Sequence, residues 1–261
     1  MNRLRFVLAA FLLACAAAAG CSSPAQKALE KGDRLLEAGQ VDLAVYAYSD
    51  ALGQDPNLSA AWRGRAACYL RQQKYEQVIA DMDALLQRVG TDTAALMMRG
   101  DAHLKSSQYD DAVRDYTAVI EQGDPPPDAY VRRGESYLEM YDDVSALADL
   151  DRALAADPRH VDALLLRGRA LVGSRQFDRA EADLTEVIRL EPSSAAAYWH
   201  RSVARLGQGD VEQAQSDRGQ AAPLDARVSL AETTLGSSLQ EDLRGRNKGV
   251  LGDATIETSG D

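Results

Sequence analysis

Apolar residues along the middle of the chain return at spacings of three and four, in pairs of short blocks. Leu164 and Leu171 belong to one such block, and a polar break follows at residues 173–176. Leu184 and Val187 belong to the block after the break. Spacings of three and four place apolar side chains on one stripe of a helix. The pattern therefore predicts two amphipathic helices joined by a short turn.

This pair of blocks recurs every 34 residues without an insertion. A basic residue followed by a small one marks the same point in each copy: Lys31 and Gly32, Arg65 and Ala66, Arg99 and Gly100, Arg133 and Gly134, Arg167 and Gly168, Arg201 and Ser202. The six repeats span residues 25–58, 59–92, 93–126, 127–160, 161–194 and 195–228. A small side chain at a fixed place lets two helices approach closely. One hairpin cannot bury its own apolar stripe, so neighbouring hairpins must stack.

The repeat resembles the tetratricopeptide repeat. The resemblance rests on the small residue just described, on an Ala twelve positions later, on a Pro near the end of the repeat and on an aromatic residue at the start of the second helix. The Ala is present as Ala44, Ala112, Ala146, Ala180 and Ala214, the Pro as Pro56, Pro158 and Pro192, and the aromatic residue as Tyr75, Tyr109 and Phe177. The resemblance implies an all-α, right-handed superhelical solenoid with a concave inner surface.

Two segments depart from the regular array. The run from Gly123 to Pro127 contains three prolines and predicts a rigid turn that bends or separates the array. Residues 229–244 carry leucines at helical spacing and predict a capping helix, whereas the polar, Gly-rich residues 245–261 predict a disordered tail.

The N-terminus has the composition of a signal peptide. A basic start precedes the uncharged apolar run from Phe6 to Ala19, and residues 1–20 are therefore excluded from the fold. Gly20 and Cys21, which follow small residues, resemble the bacterial lipobox, and this implies lipidation of Cys21. Ser22 then implies sorting to the outer membrane, facing the periplasm. The alternative is an ordinary signal peptide cleaved near Ala19, with Cys21 incidental.

Charge and composition narrow the classes of function. The formal net charge of −11 argues against binding nucleic acid or anionic lipid through a general basic field. The three histidines, His103, His160 and His200, lie in different repeats and show no metal-binding spacing. Cys68 stands where the repeat expects Ala, which predicts a buried thiol. We therefore expect no metal, no cofactor and no catalytic site.

Six basic residues and five aspartates recur at fixed positions of the repeat. The basic residues are Lys31, Arg65, Arg99, Arg133, Arg167 and Arg201, and the aspartates are Asp81, Asp115, Asp149, Asp183 and Asp217. One interpretation is a basic ladder that lines a ligand groove. The interpretation we favour is a structural Arg–Asp pair between helices, because the two residue types recur together.

The resemblance also implies which positions line the groove, namely those on the inner side of the first helix of each repeat. The variable members of this set are Arg63, Met97, Met98, Asp101, Arg132, Glu135, Leu165, Arg169, Trp199 and His200. Arginine, methionine and tryptophan together suit a peptide or helix with apolar anchors and some acidic groups. The alternative is that the convex side or an edge of the array binds the partner.

The sequence thus predicts a protein–protein interaction scaffold or assembly factor rather than an enzyme. It would be lipid-anchored and would bind a peptide or helix of a cell-envelope complex such as pilus, secretion or wall machinery. A soluble periplasmic chaperone-like adaptor with several clients is the alternative. The sequence does not indicate the partner or the oligomeric state.

Overall fold

The computed structural model describes residues 22–224, which form twelve α-helices and contain no strand. The helices are α1 (Pro24–Glu37), α2 (Val41–Gln54), α3 (Ser59–Arg71), α4 (Tyr75–Val89), α5 (Thr93–Lys105), α6 (Tyr109–Glu121), α7 (Pro127–Glu139), α8 (Asp143–Ala156), α9 (Val161–Gly173), α10 (Phe177–Leu190), α11 (Ala195–Gln208) and α12 (Val211–Ala221). Odd-numbered helices are the first, or A, helix of each repeat, and even-numbered helices are the B helix. The predicted signal peptide, Cys21, the capping helix and the tail lie outside the described residues.

Side-chain caps and left-handed turn residues set the helix ends. Ser23 and Asp92 accept hydrogen bonds from the backbone N–H groups of Gln26 and Ala95, which would otherwise lack partners in the first turn. One residue in each A–B turn has a positive φ, and these residues are Gly39, Gln73, Ser107, Tyr141, Arg175 and Gly209. The same turn geometry therefore joins the two helices of every repeat.

The described residues form two compact units, residues 22–107 with α1–α5 and residues 108–224 with α6–α12. In each unit every helix packs against the next one along the chain, and neighbouring A helices also pack together. This confirms the prediction of stacked helical hairpins.

The proline-rich turn after α6 does not separate the array, so the prediction from Gly123–Pro127 is wrong in that respect. Helices α6 and α7, on either side of this turn, pack against each other within the second unit. Pro127 is the first residue of α7, where its missing N–H is not needed for a helical hydrogen bond and its fixed φ suits the helix. The prolines therefore start a helix here.

The cores lie between the A and B helices. In the first unit one cluster surrounds Tyr48 and another surrounds Met82, whereas a single cluster runs through α7–α11 in the second unit and includes Leu150 and Leu184. The repeated Ala of each B helix is fully buried in all five copies. The apolar stripe predicted from the sequence is therefore the stripe that is buried.

The small residue of each A helix makes room for a B-helix side chain sixteen positions later. A Cβ atom on Gly32 would lie 2.6 Å from the ring of Tyr48, and one on Gly168 would lie 2.6 Å from Cγ of Leu184. Both distances are too short for carbon atoms. This confirms that the small residues permit the close approach of the two helices.

No helix within residues 22–224 is long and apolar enough to span a membrane.

Candidate functional site

The recurring arginines form structural contacts between the helices. In four repeats Nε and Nη2 donate to both carboxylate oxygens of the Asp sixteen positions later, at 2.6 to 2.9 Å. The pairs are Arg65 and Asp81, Arg133 and Asp149, Arg167 and Asp183, Arg201 and Asp217. The hydrogen bonds that these arginines donate to the aspartates raise the pKa of Arg65, Arg133 and Arg167 above the usual value. The favoured interpretation as structural pairs is confirmed for these repeats.

Nη1, the third guanidinium nitrogen of each of these arginines, donates a hydrogen bond to a side chain of the preceding repeat. Nη1 of Arg133 donates to Oγ1 of Thr117 at 2.9 Å, and Nη1 of Arg65 donates to Oγ of Ser49 at 3.0 Å. The full set of acceptors, each sixteen positions before its Arg, is Ser49, Asp83, Thr117, Asp151 and Thr185. Sequence reasoning missed this contact, although an oxygen-bearing residue recurs at that spacing. Arg65, Arg133, Arg167 and Arg201 thus each join their own A and B helices to the preceding B helix, and Arg99 contacts the preceding B helix through Asp83.

The A helices of the second unit present a mixed polar and apolar surface that remains available. We call it the A-helix surface and define it by Arg132, Glu135, Leu165, Arg169 and His200. Arg132 and Glu135 form an ion pair at 3.0 Å, and both side chains keep partial exposure. Leu165 is half-buried against the core cluster. The sequence-predicted residues of α7, α9 and α11 therefore supply both charge and apolar area.

Arg169 connects two neighbouring A helices on this surface. It pairs with Glu139 of α7 at 2.8 Å, and its side chain remains 38% exposed. Burial, together with the positive charge of Arg169, lowers the pKa of His200 to about 4. His200 is therefore neutral at neutral pH, and of these two neighbouring side chains Arg169 is the one that carries positive charge.

Trp199 is placed differently from the other candidates of the second unit. It is only 9% exposed, and the guanidinium of Arg218 stacks over its ring at 5.5 Å. Its sequence position on the A helix is as predicted, but most of the ring packs inside the unit. It offers a ligand far less area than an exposed tryptophan.

The remaining candidates lie in the first unit. Arg63 pairs with Asp92 at 2.5 Å and keeps 36% of its side chain exposed. Met97, Met98 and Asp101 are half-buried on α5, and Met98 packs against the core cluster around Met82. Arg63, Met97 and Asp101 of this group combine partial exposure with a position outside the core clusters.

The described residues offer little for bond-making chemistry. Cys68 is buried, and burial raises the pKa of its thiol, which keeps it protonated and unreactive. His160 caps α9 and contacts Asp128 through Nε2 at 2.9 Å. No group of three or more His, Cys, Asp or Glu side chains within residues 22–224 is placed to hold a metal ion.

Comparison with known families agrees with the helical repeats. Residues 29–92, 97–140, 145–173 and 165–226 match the family model described as tetratricopeptide repeat. These segments together span most of the chain and include all or part of every described helix.

Solved structures show the same fold at low sequence identity. A tetratricopeptide repeat protein from Parabacteroides merdae matches with a TM-score of 0.67 and 18% identity, over 80% of this chain and 87% of that one. YrrB, described as a TPR protein with an unusual peptide-binding site, matches with a TM-score of 0.58 and 18% identity, over 72% of this chain and 98% of that one. MamA from Desulfovibrio magneticus matches with a TM-score of 0.58 and 20% identity, over 64% and 94%. At these identities the likeness concerns the fold.

Proposed function

Because this chain belongs to the tetratricopeptide repeat family, we propose that it is a protein–protein interaction scaffold, lipid-anchored through Cys21 at the outer membrane, that holds a peptide or helix of a cell-envelope complex in the periplasm. The observation that carries the binding role is the A-helix surface. The side chains of this surface remain partly exposed. The recurring Arg–Asp pairs, such as Arg133 and Asp149, are by contrast mostly buried between helices.

The chemistry of that surface indicates its ligand. Leu165 supplies apolar area, Arg169 supplies an accessible positive charge, and Arg132 supplies a second one. Arg132 pairs with Glu135 and Arg169 pairs with Glu139 at the edge of solvent, and such partly exposed ion pairs contribute little and exchange readily. An acidic group of a ligand can therefore take over one of these arginines. A peptide with an apolar anchor and an acidic residue fits best.

The anchor would keep the repeats close to the membrane. Only Ser22 and Ser23 separate Cys21 from α1, which begins at Pro24. At roughly 3.5 Å per residue this tether is on the order of 10 Å long. A scaffold held this close meets complexes in or on the same membrane. YrrB, whose description names a peptide-binding site, supports peptide binding as the mode. A soluble adaptor with many clients needs no such tether, and this distinguishes the alternative.

The lipid anchor predicts a clear result for Cys21→Ala. The wild-type chain expressed in a Gram-negative cell should incorporate labelled palmitate and fractionate with the outer membrane, because several acyl chains anchor a protein stably. Cys21→Ala should lose the label and appear in the soluble periplasmic fraction. Cys68→Ala is the matched control, since Cys68 is buried, and it should leave both readouts unchanged. Unlabelled wild-type protein in the soluble fraction would support the soluble adaptor instead.

The binding role predicts loss of one defined partner from Arg169→Ala. Cross-linked pull-downs from envelope membranes should recover that partner with the wild-type chain and at least about fivefold less with Arg169→Ala, because the ligand loses its charged contact. Arg189→Ala is the control, since Arg189 is an exposed arginine of B helix α10 that pairs only locally with Glu186. Equal recovery with Arg169→Ala and wild type would place the binding surface elsewhere.

A further inference from the structure

The B helix of the fourth repeat starts with an inverted pair of residues. In the other five repeats an apolar residue comes first and an acid second: Val41 and Asp42, Tyr75 and Glu76, Tyr109 and Asp110, Phe177 and Asp178, Val211 and Glu212. Helix α8 begins with Asp143 and Val144 in the opposite order. Six copies within one chain make the exception plain.

The inversion moves an apolar side chain from the packing to the surface. Phe177 lies against Gly207 of the next A helix, and in the fourth repeat the carboxylate of Asp143 lies against Gly173 at the equivalent place. Val144 is consequently 80% exposed. Where an acid occupies this position, it can accept a hydrogen bond from the next repeat, as Asp178 does from Gln208 at 2.8 Å. Val144 cannot make that contact.

Two more exposed apolar residues lie in the turn that precedes α8. Tyr141 is 92% exposed and Met140 is 40% exposed. Tyr141 has a φ of 60°, at the turn position where the other repeats have Gly, Gln, Ser or Arg. A bulky side chain at positive φ is unfavourable compared with Gly. We call Met140, Tyr141 and Val144 the turn-4 patch. Its exposed area and its backbone geometry both oppose folding, which is typical of a surface kept for binding.

The charge beside the patch indicates the kind of partner. Asp142 and Asp143 lie between Tyr141 and Val144 in the sequence, and the hydrogen bonds from Ser145 lower the pKa of Asp142. The Asp142 carboxylate is therefore ionised at neutral pH, in a chain whose formal net charge is −11. Carboxylates next to exposed apolar side chains favour a ligand with cationic groups beside an apolar anchor. The exposed ring of Tyr141 also suits contact with a Lys or Arg.

We propose that the turn-4 patch is a docking surface for a protein segment that presents one or two apolar side chains flanked by Lys or Arg. The turn-4 patch lies on the A–B turn of the fourth repeat and favours cationic ligands. The A-helix surface lies on the A helices and favours acidic ligands. The chain then binds two partners of opposite charge, or two parts of one partner, at separate places. The proposal is independent of the groove-binding role.

The test uses the full-length chain in detergent and two fluorescent peptides. One peptide carries Leu and Trp between lysines, and the other carries glutamates instead. The first peptide should bind the wild-type chain, and the triple variant Met140→Ser, Tyr141→Gly and Val144→Asp should weaken this binding at least about tenfold. This variant gives the turn the residue types of its counterparts and places Gly at positive φ, so the fold should be kept, as a circular dichroism melt checks.

Two control variants and the glutamate peptide make the result decisive. Leu43→Gln with Tyr46→Gln removes exposed apolar area from α2 and should leave peptide binding unchanged. Arg169→Ala should also leave peptide binding unchanged, which separates this test from the test of the A-helix surface. Equal binding by the triple variant and wild type, equal weakening by the α2 variant, or binding of the glutamate peptide overturns the proposal. A wild-type dimer that becomes monomeric in the triple variant also overturns it, because the occupant is then a second copy.

Discussion

Arg133→Ala should destabilise the protein by about 3–5 kcal/mol, the largest effect we expect from one substitution outside the apolar core. Asp149 is only 4% exposed, and Arg133 satisfies both of its carboxylate oxygens while also donating to Thr117. Truncating the arginine leaves a buried carboxylate without its partner, and that desolvated charge is the main penalty. Urea unfolding followed by circular dichroism measures the loss.

Two further variants distinguish the effect of breaking the buried pair from the effect of removing any arginine. Arg189→Ala removes an exposed arginine that pairs with Glu186 one turn away, and it should leave the unfolding curve close to wild type. Arg133→Met with Asp149→Leu replaces the whole pair by apolar residues and should recover most of the lost stability. If Arg133→Ala unfolds no earlier than Arg189→Ala, the three-helix contact is not a stabilising feature of the array.

Gly168→Ala should destabilise the protein by about 1–3 kcal/mol, although Ala favours helices over Gly. The added Cβ would lie 2.6 Å from Cγ of Leu184, which is fully buried and cannot move away without displacing its helix. Gly53→Ala is the matched control, because nothing lies within 4 Å of a Cβ there. It should stabilise the protein by about 0.5–1 kcal/mol. Thermal melts of both variants make the comparison.

The other repeats indicate how the clash can be relieved. Gly32 and Gly134 face Tyr48 and Leu150, which branch at Cγ. Ala66 instead shares its core cluster with the unbranched Met82, sixteen positions later. Gly168→Ala combined with Leu184→Met should therefore be more stable than the sum of the single changes implies, as a double-mutant cycle measures. Simple additivity would show that the two positions are not coupled.

Much of the candidate site could be predicted from the sequence, because the six repeats of the chain can be compared with one another. The pairing of Arg133 with Asp149 could be predicted, since both residue types recur together and each must be neutralised once buried. The third contact, to Thr117, was not predicted. It joins consecutive repeats, and its acceptor changes between Ser, Asp and Thr, so no single residue type marks it.

The accessibility of the candidate residues could not be predicted in the same way. Trp199 and Arg169 both occupy A-helix positions that the family uses for ligands, yet the tryptophan is buried under Arg218 and the arginine keeps 38% of its side chain exposed. Helical periodicity predicts the direction in which a side chain points from the axis of its own helix. How much of it remains in solvent depends on which side chain of another helix covers it.

The sequence by itself determined the helical hairpin, its length of 34 residues, the buried stripe and the need for a small residue where the paired helices approach closely. These properties are local or repeat at a fixed spacing, and the same steric and hydrophobic requirements apply in every copy. The tertiary structure alone decided that Arg133 joins three helices, that Trp199 is enclosed and that Tyr141 and Val144 are exposed. These outcomes depend on contacts between helices distant in sequence, where a single inverted pair such as Asp143 and Val144 changes what is packed and what faces solvent.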